Sequence, residues 1–296
     1  MTGGENTPIV QAEGLAKSYG KFEALRPCSF SIPAGQVVGV IGSNGAGKTT
    51  LLNALLGLHS CDGSLSVLGL DPYKHRAKLM EDVSFISDVA TLPKWMRVRD
   101  VLRYVDDVHA KFDRKAALSR LAETTNITPG MRIKNLSKGM TVQLHLSIVL
   151  AIDARLLVLD EPTLGLDVVH RRSFYDALIG EFFDNDRTII VTTHQIDEID
   201  QILSHAIFLS KGEIVLNTAM EDVAGRFLLL EALPEMDGAA MALSPISKRT
   251  GIGRSTYLFD GVDRAQLVAL GDVRRASLTD LFIAKMRDGD GAGGNV

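Results

Sequence analysis

"GSNGAGKTT", Gly42 to Thr50, decides how this chain is read. It fits the pattern G-x-x-x-x-G-K-[ST] and lies between the apolar run "QVVGVIG" (36–42) and the helical "TTLLNALLGL". That strand, loop and helix setting is the one in which the pattern binds phosphate. Glycines let backbone N–H groups converge on an anion without Cβ clashes, and the helix behind them points the positive end of its dipole at the same anion. The spacing assigns Gly42, Ser43, Asn44, Gly45, Ala46, Gly47, Lys48, Thr49 and Thr50 to a phosphate cradle. Lys48 would neutralise β- and γ-phosphates, and the Thr49 hydroxyl would ligate Mg²⁺. A glycine-rich turn before a helix needs no ligand, but from average residue usage the bare pattern arises by chance in roughly one chain in a hundred.

Three more short runs, "VSFIS" (83–87), "RLLVLDE" (155–161) and "TIIVTTH" (188–194), are apolar, rich in β-branched residues and separated by helical patterns. Strands buried on both faces of a parallel sheet read this way, which predicts an α/β architecture with helices on both sides. "RLLVLDEP" places Asp160 and Glu161 at the carboxyl end of such a strand, where open α/β sheets gather ligands. Asp160 there can hold Mg²⁺ through water. Glu161, alternating to the other face of the strand end, can polarise an attacking water as general base. On its own letters Asp-Glu-Pro reads equally well as a strand-ending turn; a phosphate loop upstream favours the chemistry. His194 closes the next strand and can reach the same γ-phosphate to keep the water and Glu161 in register. His59, His75, His109, His145, His170 and His205 read as surface or satisfied core residues.

The 296 residues are 46% hydrophobic, enough for a large α/β domain and a smaller one. A formal net charge of −4 gives no basic footprint, so no nucleic-acid partner is expected. Cys28 and Cys61 lack metal-ligand spacing and are too few for a disulfide framework, which fits a reducing compartment. No run approaches the ~20 apolar residues that cross a bilayer, and "MTGGENTPIV" has no secretory pattern. Apolar spacings of three and four in "VRDVLRYVDDVHAKF" and "RKAALSRLAETTNI" predict a helical insertion over about 88–152. The expected division is a disordered tail at 1–8, a main domain at 9–218, a small appended α+β domain at 219–285 and a second disordered tail at 286–296. In the appended domain "DGAAM", "SPIS" and "TGIG" read as loops, "STYLFDG" as a strand, and "ASLTDLFIAKM" as a helix with Leu278, Leu281, Phe282 and Met286 on one face.

In this order and spacing the motifs resemble an ATP-binding cassette, the nucleotide-binding subunit of ABC transporters, over roughly residues 9–218. The resemblance implies a P-loop NTPase fold of the ABC type. It makes Gly42 to Thr49 the Walker A loop, Asp160 and Glu161 the Walker B aspartate and catalytic glutamate, Asp167 of "GLD" the D-loop, His194 the switch histidine, and Tyr19 the aromatic that stacks on adenine. For Tyr19, packing within a strand explains the letter too. "NLSKGMTVQ" resembles the family signature L-S-G-G-Q, so Ser137, Lys138, Gly139 and Met140 would meet the ATP held by a partner cassette. Ser137 is also a good N-cap, ahead of an apolar helical face at Met140, Leu144, Ile148 and Ala151. Lys138 and Met140 depart from the family glycine and glutamine, and Asp88 stands where the family has a metal-sensing glutamine, still able to contact Mg²⁺ or its water. Trp95 and Met96 belong either to a groove for a membrane subunit or to packing of the helical insertion.

The resemblance implies an ATPase with ATP and Mg²⁺ as cofactors, a second cassette chain as partner, separate transmembrane subunits, and a place at the inner face of the cell membrane. It points to exporters of antibiotics, peptides or lipids. A soluble single-cassette ATPase in assembly or regulation is the alternative.

Overall fold

The computed structural model describes residues 8–87, 92–181, 183 and 187–288. The chain begins with an antiparallel hairpin, β1 (Val10–Tyr19) and β2 (Phe22–Ile32), then runs through β3 (Val37–Ile41), α1 (Lys48–Leu55), β4 (Asp62–Val67), the short α2 (Arg76–Leu79) and β5 (Val83–Ile86). Three helices follow, α3 (Val98–Val108), α4 (Arg114–Thr124) and α5 (Lys138–Leu150). The chain then returns through β6 (Leu156–Asp160), α6 (Val168–Glu181), β7 (Thr188–Thr193), β8 (His205–Ser210) and β9 (Glu213–Ala219).

Six strands form one sheet in the order β5-β6-β7-β3-β8-β9, parallel except for β9. A smaller antiparallel sheet, β2-β1-β4, packs beside it. Burial of both faces explains why the parallel strands are buried at nearly every position and mostly apolar. Val38, Val40, Val158 and Ile190 enter a core shared with β1, β2 and α1. Val37, Ile41, Leu157, Leu159, Ile189 and Val191 enter a second core on the opposite face, shared with the helical insertion. Each strand therefore feeds both cores, with its carboxyl end free to carry ligand-facing residues.

After α7 (Met220–Arg226) come β10 (Phe227–Ala232), α8 (Asp237–Ala242), β11 (Ser247–Thr250), β12 (Ser255–Asp260), α9 (Arg264–Val268), β13 (Asp272–Arg275) and α10 (Leu278–Asp288). The four strands form an antiparallel sheet in the order β11-β12-β10-β13. This β-α-β-β-α-β chain order gives a ferredoxin-like unit. One face of the sheet packs Leu230, Tyr257 and Phe259 under α8 and α9, while Leu229 and Leu258 join the core of the helical insertion and the six-stranded sheet with Leu278, Leu281 and Ala284 of α10.

"DGAAM" is a helix here and not a loop. Pro234 opens the preceding turn, alanine is the best helix former, and Ala240 is fully buried against the sheet. Helix α10 continues to Asp288, past the expected end of order at 285; residues 1–7 and 289–296 of the expected tails lie outside the described residues.

Candidate functional site

The loop after β3 turns into α1 through Gly45 and Gly47, at φ +80° and +109°. Gly47 stands at the N-cap of α1 with no side-chain cap, and no acidic residue occupies the first turn. The first N–H groups of α1 are thus left for an incoming acceptor, at the positive end of the helix dipole. A Cβ on Gly42 would lie 2.5 Å from Leu209 O, so the loop is pressed onto the end of β8. Gly212 N–H also donates to Ala46 O at 2.9 Å.

The loop opens on a cavity of about 520 Å³ whose wall includes Ser43, Asn44, Gly45, Gly47, Lys48, Thr49 and Thr50, together with Asp160, Glu161 and His194. Lys48 is 6% exposed. Its ammonium donates to Gly42 O at 2.7 Å and lies 3.2 Å from Glu161 Oε1. The other Glu161 oxygen is 2.9 Å from His194 Nδ1. Asp160 is held from two sides: Thr49 Oγ1 donates to Oδ2 at 3.1 Å and Thr192 Oγ1 to Oδ1 at 2.6 Å. A glycine-rich loop at a helix N-terminus, a hydroxyl–carboxylate pair and a carboxylate–imidazole pair share one cavity.

Simple alternation put Glu161 on the face opposite Asp160, yet both line the same cavity. Glu161 has φ +46°, a left-handed conformation that a non-glycine residue holds at a cost of about 1–2 kcal/mol. Its N–H donates to Thr192 Oγ1 at 3.1 Å and Thr192 O at 3.2 Å, which pins the turn. Strain of this kind collects where a side chain must be aimed.

Thr49 Oγ1 and Asp160 Oδ2 are hard oxygen donors close together, a set suited to Mg²⁺ that completes its shell with phosphate oxygens and water. Among the described residues no group of three His, Cys, Asp or Glu side chains is gathered as a metal cage. Asp88, the third expected metal contact, lies outside the described residues.

Tyr19 does not line the cavity; its ring meets His59 edge-on at 6.0 Å and is 50% exposed. The aromatic in the wall is Phe22, paired with Tyr19 across the hairpin turn at Gly20. An aromatic at each end of "YGKF" was the available signal for Phe22.

Ser137, Lys138, Gly139, Met140 and Asp167 are likewise absent from the cavity wall. They gather elsewhere. The Ser137 hydroxyl caps α5, accepting from Met140 N–H at 3.1 Å. Leu144 and Ile148 of the expected apolar face are buried, and Met140 packs at its edge. Asp167 Oδ1 accepts from the His170 N–H at 3.0 Å and Oδ2 lies 2.7 Å from His170 Nδ1. These bonds, the backbone one first, hold its carboxyl below the usual carboxylate range. The Lys138 ammonium rests on Gly165, where a Cβ would come within 2.0 Å of Nζ. The lysine therefore folds onto its own chain's "GLD" segment.

Trp95 is 75% exposed, while Met96 packs against the core of the helical insertion. No helix among the described residues is long and apolar enough to cross a membrane.

The ABC transporter family model matches residues 25–164. An uncharacterized ABC transporter ATP-binding protein, YdbJ of Bacillus subtilis, is 28% identical over 234 residues, covering 77% of this chain and 75% of that protein. The manganese transport system ATP-binding protein MntB of Halalkalibacterium halodurans is 28% identical, covering 73% and 88%. The Nod factor export ATP-binding protein I of Mesorhizobium japonicum is 32% identical, covering 70% and 62%. Among solved structures, the ADP conformation of an ATP-binding cassette of an ABC transporter superimposes with a TM-score of 0.63 at 21% identity, covering 73% of this chain and 94% of that one. The last likeness establishes the fold.

Proposed function

The chain belongs to the ABC transporter family as an ATPase subunit, and from that premise we propose that it works as one half of a two-cassette sandwich and powers an exporter of an antibiotic, peptide or lipid. The observation that carries the hydrolytic reading is the Glu161 carboxylate, 3.2 Å from the Lys48 ammonium and 2.9 Å from His194 Nδ1. Lys48 and the N–H groups of the loop bind the β- and γ-phosphates, and Phe22 borders the nucleotide's base. Thr49 and Asp160 hold Mg²⁺, which when bound supplies positive charge to the phosphates.

Glu161 accepts a proton from the attacking water, and His194 keeps that carboxylate in line. Its left-handed backbone aims it at the phosphate loop. Ser137, Lys138, Gly139 and Met140, being outside this cavity, are free to face the cavity of a second copy. The N-terminus of α5 then offers the Ser137 hydroxyl and Gly139 N–H to the partner's γ-phosphate. The exporter assignment is supported by the Nod factor export relative and by the C-terminal unit appended to the cassette. Peripheral association with the membrane follows from separate transmembrane subunits.

The test is affinity purification of tagged Glu161→Gln from detergent-solubilised membranes in ATP and Mg²⁺, with turnover measured beside wild type. A lost general base predicts a drop of at least ~100-fold in turnover, a trapped two-cassette complex and a co-purifying multi-spanning protein. Equal turnover in the two proteins would remove Glu161 from the chemistry; a wholly soluble complex would remove the transporter.

A further inference from the structure

His194 is followed by Gln195 and a single 3₁₀ turn, Ile196–Glu198. Against that turn sits the last helix of the C-terminal unit. Thr279, in the first turn of α10, donates its hydroxyl to Asp197 Oδ1 at 2.6 Å across 82 positions of sequence. Beneath this bond Leu278, Leu281 and Ala284 share one buried core with Ile196 and Ile199.

The same helix also packs on β8, the strand that backs the glycine-rich loop. Phe282 meets Phe208 edge-on at 5.5 Å, and the next residue of β8, Leu209, presses its carbonyl on Gly42. Helix α10 is itself fixed to the C-terminal sheet. Ser277 Oγ accepts from Asp280 N–H at 3.1 Å, Asp280 Oδ2 accepts from Ser277 N–H at 3.0 Å, and the Arg274 guanidinium at the end of β13 donates to the same oxygen at 2.8 Å. A continuous series of contacts therefore runs from β13 through Arg274, Asp280, Thr279 and Asp197 to the segment that carries His194.

We propose that Thr279 is a positioning residue for ATP hydrolysis, holding the Ile196–Glu198 turn through Asp197, so that the C-terminal unit governs how firmly His194 is presented to Glu161. The inference rests on the reading that Glu161 and His194 carry hydrolysis. A mere tether between two units would contribute to stability and leave the rate constants alone. A positioning contact acts on kcat, because the His194–Glu161 alignment matters once ATP is bound.

The test compares the full chain with Thr279→Val, which keeps the shape and loses the hydroxyl, and Thr279→Ser, which keeps the hydroxyl. One hydrogen bond's worth of misalignment predicts a fall in kcat of about twofold to tenfold for valine, with the KM for ATP unchanged and serine restoring the rate. Amide hydrogen exchange over residues 195–200, measured without nucleotide, is expected to quicken in the valine variant and not in the serine variant. An unchanged kcat and exchange rate, a rise in KM alone, or a failure of serine to restore the rate would each overturn the proposal. Should the wild-type chain show no turnover, the hydrolytic reading falls instead, and the exchange measurement decides the Thr279 contact by itself.

Discussion

Gly45 and Gly47 differ in a way that predicts different costs for the same substitution. Both hold positive φ, but a Cβ on Gly45 meets nothing within 4 Å, whereas one on Gly47 would lie 2.6 Å from Ala24 O and 3.2 Å from side-chain atoms of Leu25 and Leu209. Gly45→Ala therefore carries only the backbone penalty, about 1–2 kcal/mol. At φ +109° Gly47 lies beyond the left-handed well, for a penalty of about 1–3 kcal/mol. The clash adds about 1–3 kcal/mol more, because the obstructing atom is a β2 carbonyl that cannot rotate away. The assay is urea unfolding of both variants with equal m-values checked, together with nucleotide affinity by fluorescence. Gly47→Ala should unfold at the lower urea midpoint and bind ATP more weakly. A Gly47→Ala midpoint equal to or above that of Gly45→Ala would refute the argument that β2 shapes the loop.

Two further expectations concern stability. Burial pushes the His145 pKa down, with the bond from Nδ1–H to Thr141 O at 2.9 Å opposing it more weakly. Between that lowered value and the unfolded value near ~6.5 the unfolded chain binds more protons. His145 therefore contributes fully above about pH 6.5, and stability falls by up to ~1.4 kcal/mol per pH unit below it; thermal unfolding of His145→Gln should show a flatter acid slope, and an identical slope would contradict the assignment. Leu281, fully buried where α10 meets the cassette, should cost about 2–5 kcal/mol on change to alanine in chemical denaturation, and a loss under ~1 kcal/mol would mean that α10 is not docked there.

What could be read from the letters was contiguous. The glycine-rich loop, the acidic strand end and the Ser137 helix cap each lie within a few residues, and their settings follow from hydrophobic periodicity alone. Glu161 was legible as a residue but its direction was not, because alternation assumes extended backbone and its left-handed φ is pinned by Thr192 on the neighbouring strand. Phe22 escaped because a hairpin places two aromatics side by side and only the three-dimensional wall selects one. In the C-terminal unit β10 lies between β12 and β13, an order that local patterning does not encode. The Thr279–Asp197 bond joins two unremarkable polar letters far apart in sequence.

The grip of β8 and β9 on the phosphate loop has a consequence for synthesis. The nine residues that spell the loop leave the ribosome early, but the carbonyl of Leu209 that backs Gly42 and the N–H of Gly212 that holds Ala46 are made more than 150 residues later. Domains complete themselves only when their last supporting strand is available. A nascent chain thus carries the letters of a nucleotide site long before it owns the shape, and ATP can favour the folded cassette only after the β8–β9 hairpin has closed beneath the loop.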